Sequence, residues 1–238
     1  GYSWLIQNIR YKFGSILADD MGLGKTIQVL SAILFYKEHE MLEDKSSLII
    51  VPPTLISNWE NEIKKFTPDL TYFIYHGSNR TFPLEHYDII LTSYGVVRLD
   101  LDMFVDENWF LCIIDEAQNI KNPNTEQTKA IKEVPARTKI ALTGTPIENR
   151  LMDYWSIFDF VNKGYLSTKD DFKRNYVMPI EKLEDAETLE NLRTIAKPFV
   201  MRRLKTDKEI KKELPDKLVN DIYCTLSKKQ IKLYNAIL

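Results

Sequence analysis

Through the first two-thirds of the chain, short β-branched and aliphatic runs alternate with segments whose apolar positions recur every three or four residues. That alternation predicts a parallel sheet with helices on both faces. Strands are expected over residues 15–18, 47–51, 72–75, 88–92, 110–115 and 139–142. Residues 47–51 and 111–114 read as apolar runs, as in central strands buried on both faces. Three helices are expected between the strands. One spans 26–38, with Ile27, Leu30, Ile33 and Leu34 on one stripe. Another is capped by Thr54 and carries Trp59, Ile63 and Phe66 at i, i+4 and i+7. The third, over 125–133, is shorter and more polar.

The texture changes after residue 150. Residues 151–161 are aromatic and apolar, and 168–197 are charged and helical with no strand signal, which predicts a helical insert on one end of an α/β core. One more strand is expected over 218–225. Ser227 and Gln230 then form a capping box that opens a helix with Leu233, Tyr234 and Ile237 facing inward. The expected division is a core over 1–150, an insert over 151–200, and a return to the core with the start of a linker over 201–238. Gly1-Tyr2-Ser3-Trp4 has no initiator Met and no basic leader, and the last helix runs to Leu238, so both ends read as cuts into a longer protein.

Composition narrows the class. The chain is 44% hydrophobic and 28% charged, enough to bury a core and too apolar for disorder. No apolar run approaches the roughly 18 residues of a membrane span, so no membrane partner is expected. Cys112 and Cys224 make neither a disulfide framework nor a zinc cluster, and His39, His76 and His86 are too scattered for a His-rich metal site. The balance of 32 basic against 34 acidic residues gives no global positive field for nucleic acid. The sequon Asn79-Arg80-Thr81 reads as chance in an intracellular protein, and the Lys, Glu and Ile content hints at a thermophile.

Glycine is scarce, 8 residues in all, which makes two within one hexapeptide conspicuous. Asp20-Met21-Gly22-Leu23-Gly24-Lys25-Thr26 follows an expected strand and opens an expected helix. Gly22 and Gly24 let backbone N–H groups approach an anion, Lys25 adds a point charge for the β and γ phosphates, and Thr26 can offer its hydroxyl to Mg²⁺. Asp19 stands where the general phosphate-loop pattern has its first Gly, and Ile27 stands where a dinucleotide fingerprint would have its third. At the end of the buried run 111–114, Asp115 is the candidate metal ligand and Glu116 the candidate orienter of the attacking water. Leu142-Thr143-Gly144-Thr145-Pro146 closes another strand with two hydroxyls.

Together these segments resemble motifs I, II and III of the Swi/Snf-type ATPases, superfamily-two helicase-like motors that translocate on double-stranded DNA. The matching residues are 19–26, 115–122 and 142–149. Residues 1–5 resemble the family's opening, 48–53 with Trp59 to Glu62 its motif Ia, and 88–94 its motif Ib. Residues 201–205 and 214–217 resemble the segment after its insert. The resemblance covers only the first of two RecA-like lobes with its helical protrusion; motifs IV to VI, with the arginine finger, have no counterpart here. Gln118 replaces the His of many members, giving a DEAQ box.

The resemblance implies a RecA-like P-loop lobe that binds ATP and Mg²⁺ through residues 20–26. Lys25, Asp115 and Glu116 would act on the phosphates, metal and water, and Gln118 would sense the γ-phosphate. Pro53, Thr92, Ser93, Tyr94, Lys121, Asn122 and Thr145 would lie along a double-stranded DNA track or couple to it. Arg202-Arg203 reads as structural pairing and the run over 208–212 as a solvated face. Implied partners are duplex DNA and a second RecA-like lobe of the same protein. A strand-separating helicase lobe and a nucleotide-gated protein-interaction module are the competing readings.

Overall fold

A computed structural model describes residues 1–144, 150–207, 210 and 225–237. The chain falls into two compact units, Gly1–Leu204 and Lys205–Leu238. In the first unit, β1 (Ser15–Leu17), β2 (Ser47–Val51), β3 (Tyr72–Tyr75), β4 (Ile89–Ser93), β5 (Trp109–Ile114), β6 (Ala136–Leu142) and β7 (Val200–Met201) form one sheet. Its strand order is β3-β4-β2-β5-β6-β1-β7, and every pair is parallel. β2, β4 and β5 are buried at every position. The two-residue period of the strands sorts these side chains into two cores. Ile49, Val51, Leu111 and Ile113 pack in one layer with α1 (Tyr2–Arg10), α2 (Lys25–Glu38) and α3 (Ile56–Phe66). Leu48, Ile50, Cys112 and Ile114 pack in the other with α4 (Tyr94–Leu99), α5 (Leu101–Val105), α6 (Glu126–Glu133) and α7 (Leu151–Val161). Among the described residues no helix is long and apolar enough to cross a membrane.

Several details differ from the sequence expectation. β6 begins three residues early, because Arg137 and Lys139 are strand residues whose cationic ends lie over the Phe110 and Phe160 rings. The buried stripe of α2 is Val29, Leu30, Ile33 and Tyr36, whereas Ile27 and Leu34 are half-buried. Thr54 is not a helix cap; it lies inside a 3₁₀ turn over Pro53–Leu55 that hands the chain to α3. Phe66, at the last turn of α3, is 40% exposed and stacks under the Lys65 ammonium instead of entering the core.

The aromatic helix α7 does not stand apart from the sheet. Phe158 and Ile157 belong to the same core as Ile16 and Ala141, so its all-apolar texture is that of a helix buried against the strands. The charged segment behind it forms α8 (Lys169–Phe172), a π-helical turn over Lys173–Val177, α9 (Met178–Leu183) and α10 (Ala186–Ala196). It returns through β7, which sequence reading missed because two residues carry no alternation. In the second unit the strand expected over 218–225 falls on residues 218–224, outside the described residues. α11 (Lys228–Ile237) opens on the expected box, with the Ser227 N–H and hydroxyl donating to Gln230 Oε1 at 2.9 and 2.8 Å. Leu233 and Tyr234, expected inside, are 66% and 61% exposed.

Asn162, at the end of α7, pairs with the backbone just before β1 as a strand would. Its Oδ1 accepts the Gly14 N–H at 2.9 Å and its Nδ2 donates to the Gly14 carbonyl at 3.1 Å. The approach is so close that a Cβ at position 14 would lie 2.0 Å from the Val161 carbonyl oxygen. Gly14→Ala is therefore expected to destabilise the first unit by about 3 kcal/mol, since backbone must move on one side or the other. Chemical denaturation reads this as a lowered midpoint at constant slope.

Candidate nucleotide site

The parallel sheet brings the carboxyl ends of its strands to one edge, where open α/β sheets bind ligands. The phosphate loop leaves β1 there. Its glycines are both in the left-handed region, Gly22 at φ 82° and Gly24 at φ 71°, and Gly24 is the N-cap of α2. A Cβ at Gly24 would touch nothing within 4 Å, so its dihedral, not crowding, selects glycine. The 14-residue helix behind it aims its unpaired N–H groups and positive end at the loop. The Lys25 ammonium donates to the carbonyls of Asp19 at 2.6 Å and Asp20 at 3.3 Å. Met21 is 72% exposed and lies against Gly144 at the end of β6, while Leu23 in the loop and Thr26 in the first turn of α2 are half-buried.

Asp19 explains its own departure from the phosphate-loop pattern. Its carboxylate is fully buried and paired with the Arg203 guanidinium through Nε, at 3.1 Å to both oxygens, and through Nη2. The Arg203 N–H adds a bond of 2.9 Å to Oδ1, and Arg203 Nη2 also reaches Gln28 Oε1 at 2.9 Å. The backbone continues the same pairing: Ala18 N–H donates to Met201 and Asp20 N–H to Arg203, at 2.7 and 3.0 Å. The start of the phosphate loop is thus clamped to the chain that leaves β7. Arg203 was legible as a structural pair; its partner was not.

Two strands away, β5 delivers Asp115 and Glu116. Trp59 Nε1 donates to Asp115 Oδ2 at 2.9 Å and the Glu116 N–H to Oδ1 at 2.8 Å. Burial pushes the Asp115 carboxyl above its ordinary value, while these two bonds and the nearby Lys25 charge pull the other way. Glu116 itself sits at φ 53°, a strained conformation for a non-glycine residue that turns the chain sharply off the strand. Gln118 Nε2 donates to Glu116 Oε2 at 2.6 Å, and Gln118 Oε1 accepts the Thr143 hydroxyl at 3.3 Å. This amide therefore joins the acidic pair at the end of β5 to the Thr143-Gly144 turn at the end of β6. Sequence reading did not single out Gln28, and it named Trp59 and Thr143 only within their motif segments, without these contacts.

The residues assigned to a DNA track separate into two groups. Thr92, Ser93 and Tyr94 are buried, and their hydroxyls bond inside the fold. Thr92 donates to the Tyr75 carbonyl at 2.8 Å, Ser93 lies 3.2 Å from His76 Nδ1, and Tyr94 donates to the Asp115 carbonyl at 2.6 Å. Burial also raises the Tyr94 phenol well above its usual range. Pro53 and Asn122 are exposed and Lys121 is half-buried. Lys121 and Asn122 line a cleft of 690 Å³ shared with Asn124, Arg150, Asp153 and Lys169. Thr145 lies outside the described residues.

Comparison with known proteins agrees with this geometry. The profile of the SNF2-related domain matches residues 1–238. The chain is 44% identical to the Sulfolobus solfataricus SWI2/SNF2 ATPase core in complex with double-stranded DNA, with a TM-score of 0.85 over 99% of this chain and 50% of that one. It is 41% identical to YwqA of Bacillus subtilis and 36% identical to the TATA-binding protein-associated factor MOT1 of Saccharomyces cerevisiae. It spans 26% and 14% of those two relatives. A phosphate loop and an acidic pair on one edge of a seven-stranded parallel sheet, with a family profile that matches end to end, place this chain in the SNF2-related domain family.

Proposed function

We propose that residues 1–238 form the ATP-binding lobe of a DNA-dependent motor that translocates on double-stranded DNA and remodels protein–DNA complexes inside the cell. One observation carries this reading: the start of α2, with Lys25 and Thr26 behind the phosphate loop, and the end of β5, with Asp115 and Glu116, lie at the same edge of the sheet although far apart in sequence. The helix N-terminus and Lys25 hold the triphosphate, and Glu116 takes the proton of the attacking water.

The donor set suits Mg²⁺. Each Asp115 oxygen accepts one N–H, leaving lone pairs for a cation, and the Thr26 hydroxyl supplies a second protein oxygen. Among the described residues no cluster of three acidic, His or Cys side chains forms a cage, as suits a cation held largely by phosphate oxygens and water. Mg²⁺ would supply charge neutralisation at the phosphates. Among the described residues that line the 690 Å³ cleft, Lys121, Arg150 and Lys169 are basic and Asp153 is acidic, a balance that suits the phosphate backbone of a duplex.

The test is phosphate release by the full-length protein with and without duplex DNA. Lys25→Ala is expected to lower kcat about 10²–10³-fold, because the ammonium gains most as charge moves in the transition state. Residues 1–238 alone, which span half of the Sulfolobus core, are expected to turn over ATP barely. DNA-stimulated release by them at the full-length rate would overturn the reading, as would unchanged turnover in Lys25→Ala. DNA affinity should fall linearly on a log–log plot against salt with a slope of a few units, about −0.9 per phosphate contacted, and without sequence preference.

A further inference from the structure

The Trp59 side chain is wholly buried in the core layer that also holds Leu30, Ile49, Val51 and Ile113. At one atom it leaves that apolar layer: its N–H reaches Asp115 Oδ2, 56 residues along the chain. A phenyl or an aliphatic group could fill the same core; only the indole adds a donor there. Asp115 accepts three bonds that hold it, beside the one its own N–H donates to the Ile50 carbonyl at 2.9 Å. Trp59 fixes Oδ2, the Glu116 N–H fixes Oδ1 and the Tyr94 hydroxyl fixes the carbonyl. A carboxylate at a strand end otherwise turns freely between rotamers, and a charge-assisted bond from a rigid, packed ring removes that freedom at small entropic cost.

Building on the assignment of Asp115 to the nucleotide's cation, we propose that Trp59 is a positioning residue for that cation: its N–H sets which face of the Asp115 carboxylate meets the phosphate loop. Partners that orient a metal-holding side chain in this way typically govern metal affinity by 10–100-fold, although they never touch the metal. A Trp59 whose N–H were merely satisfied by a convenient acceptor would affect fold stability and leave the cation dependence alone.

The experiment uses the full-length protein and a fluorescent ATP analogue, first in EDTA and then titrated with Mg²⁺, with Tm recorded for every variant. Trp59→Phe is expected to weaken the apparent Mg²⁺ affinity of the complex about 10-fold or more while metal-free nucleotide binding changes little. Substituting Trp59 with its benzothienyl isostere, in which sulfur replaces the ring N–H at constant shape, is expected to give the same loss, and it decides the matter if Trp59→Phe fails to fold. Asp115→Asn serves as the reference and should weaken Mg²⁺ at least as much. Reduced Mg²⁺ affinity in Asp115→Asn with wild-type affinity in the isostere would overturn the role of Trp59 and leave the site assignment standing. Wild-type Mg²⁺ affinity in Asp115→Asn would overturn the site assignment itself.

Discussion

Glu116→Gln is expected to bind ATP and Mg²⁺ normally and to hydrolyse ATP about 10²–10⁴-fold more slowly, the usual contribution of a positioned general base. The substitution is nearly isosteric. An amide oxygen at position 116 can still accept from Gln118, which donates to Oε2 at 2.6 Å in the native chain, so the link to Thr143 survives. The backbone strain at φ 53° is a property of the turn after β5 and is unaltered by the side-chain end. What disappears is the ability to take a proton from water. Single-turnover hydrolysis in the full-length protein, with nucleotide affinity measured separately, should show the loss confined to the chemical step. Native single-turnover rates under saturating duplex DNA would remove Glu116 from the reaction.

Arg203→Ala is expected to destabilise the first unit by about 3 kcal/mol. Asp19 is 0% exposed, and among the described hydrogen-bond donors to its carboxylate the variant would keep the position-203 N–H and the more distant Gln28 amide, at 3.4 Å. Breaking a buried pair by deleting one partner typically costs about 3–5 kcal/mol; the low end applies because the Arg203 side chain is 31% exposed. Chemical denaturation of residues 1–204 gives the value, and Asp19→Asn in the same background should recover much of it by removing the orphan charge. A loss below about 1 kcal/mol would mean that water already compensates Asp19.

The elements legible in the sequence were those that local pattern determines. β2 and β3 are found over the expected residues because their ends coincide with changes in apolar density. Gly22, Gly24 and Lys25 were legible because a phosphate loop is a short-range device, and the Ser227 box because its two bonds span three residues. Phe66 and α11 show where periodicity fails: it specifies which residues share a face, and says nothing about whether another element covers that face. The partners that tune the site were illegible for a related reason. Trp59 meets Asp115 across 56 residues and Arg203 meets Asp19 across 184, with no periodic trace of either contact. One signal was available. An acidic residue at a glycine position of an anion-binding loop demands a compensating cation, and Arg203 was among the residues that could supply it.

The clamp on Asp19 also orders events in time. During synthesis the phosphate loop emerges before its counter-charge, which is encoded 184 residues later. At typical translation speeds that interval is roughly 10–40 s. Throughout most of it β1 also lacks its sheet neighbours β6 and β7, and Asp19 could be buried only as an unpaired carboxylate, so the final shape of the loop depends on the returning chain. The pair of residues that holds the finished lobe together therefore also sets when its loop can be completed.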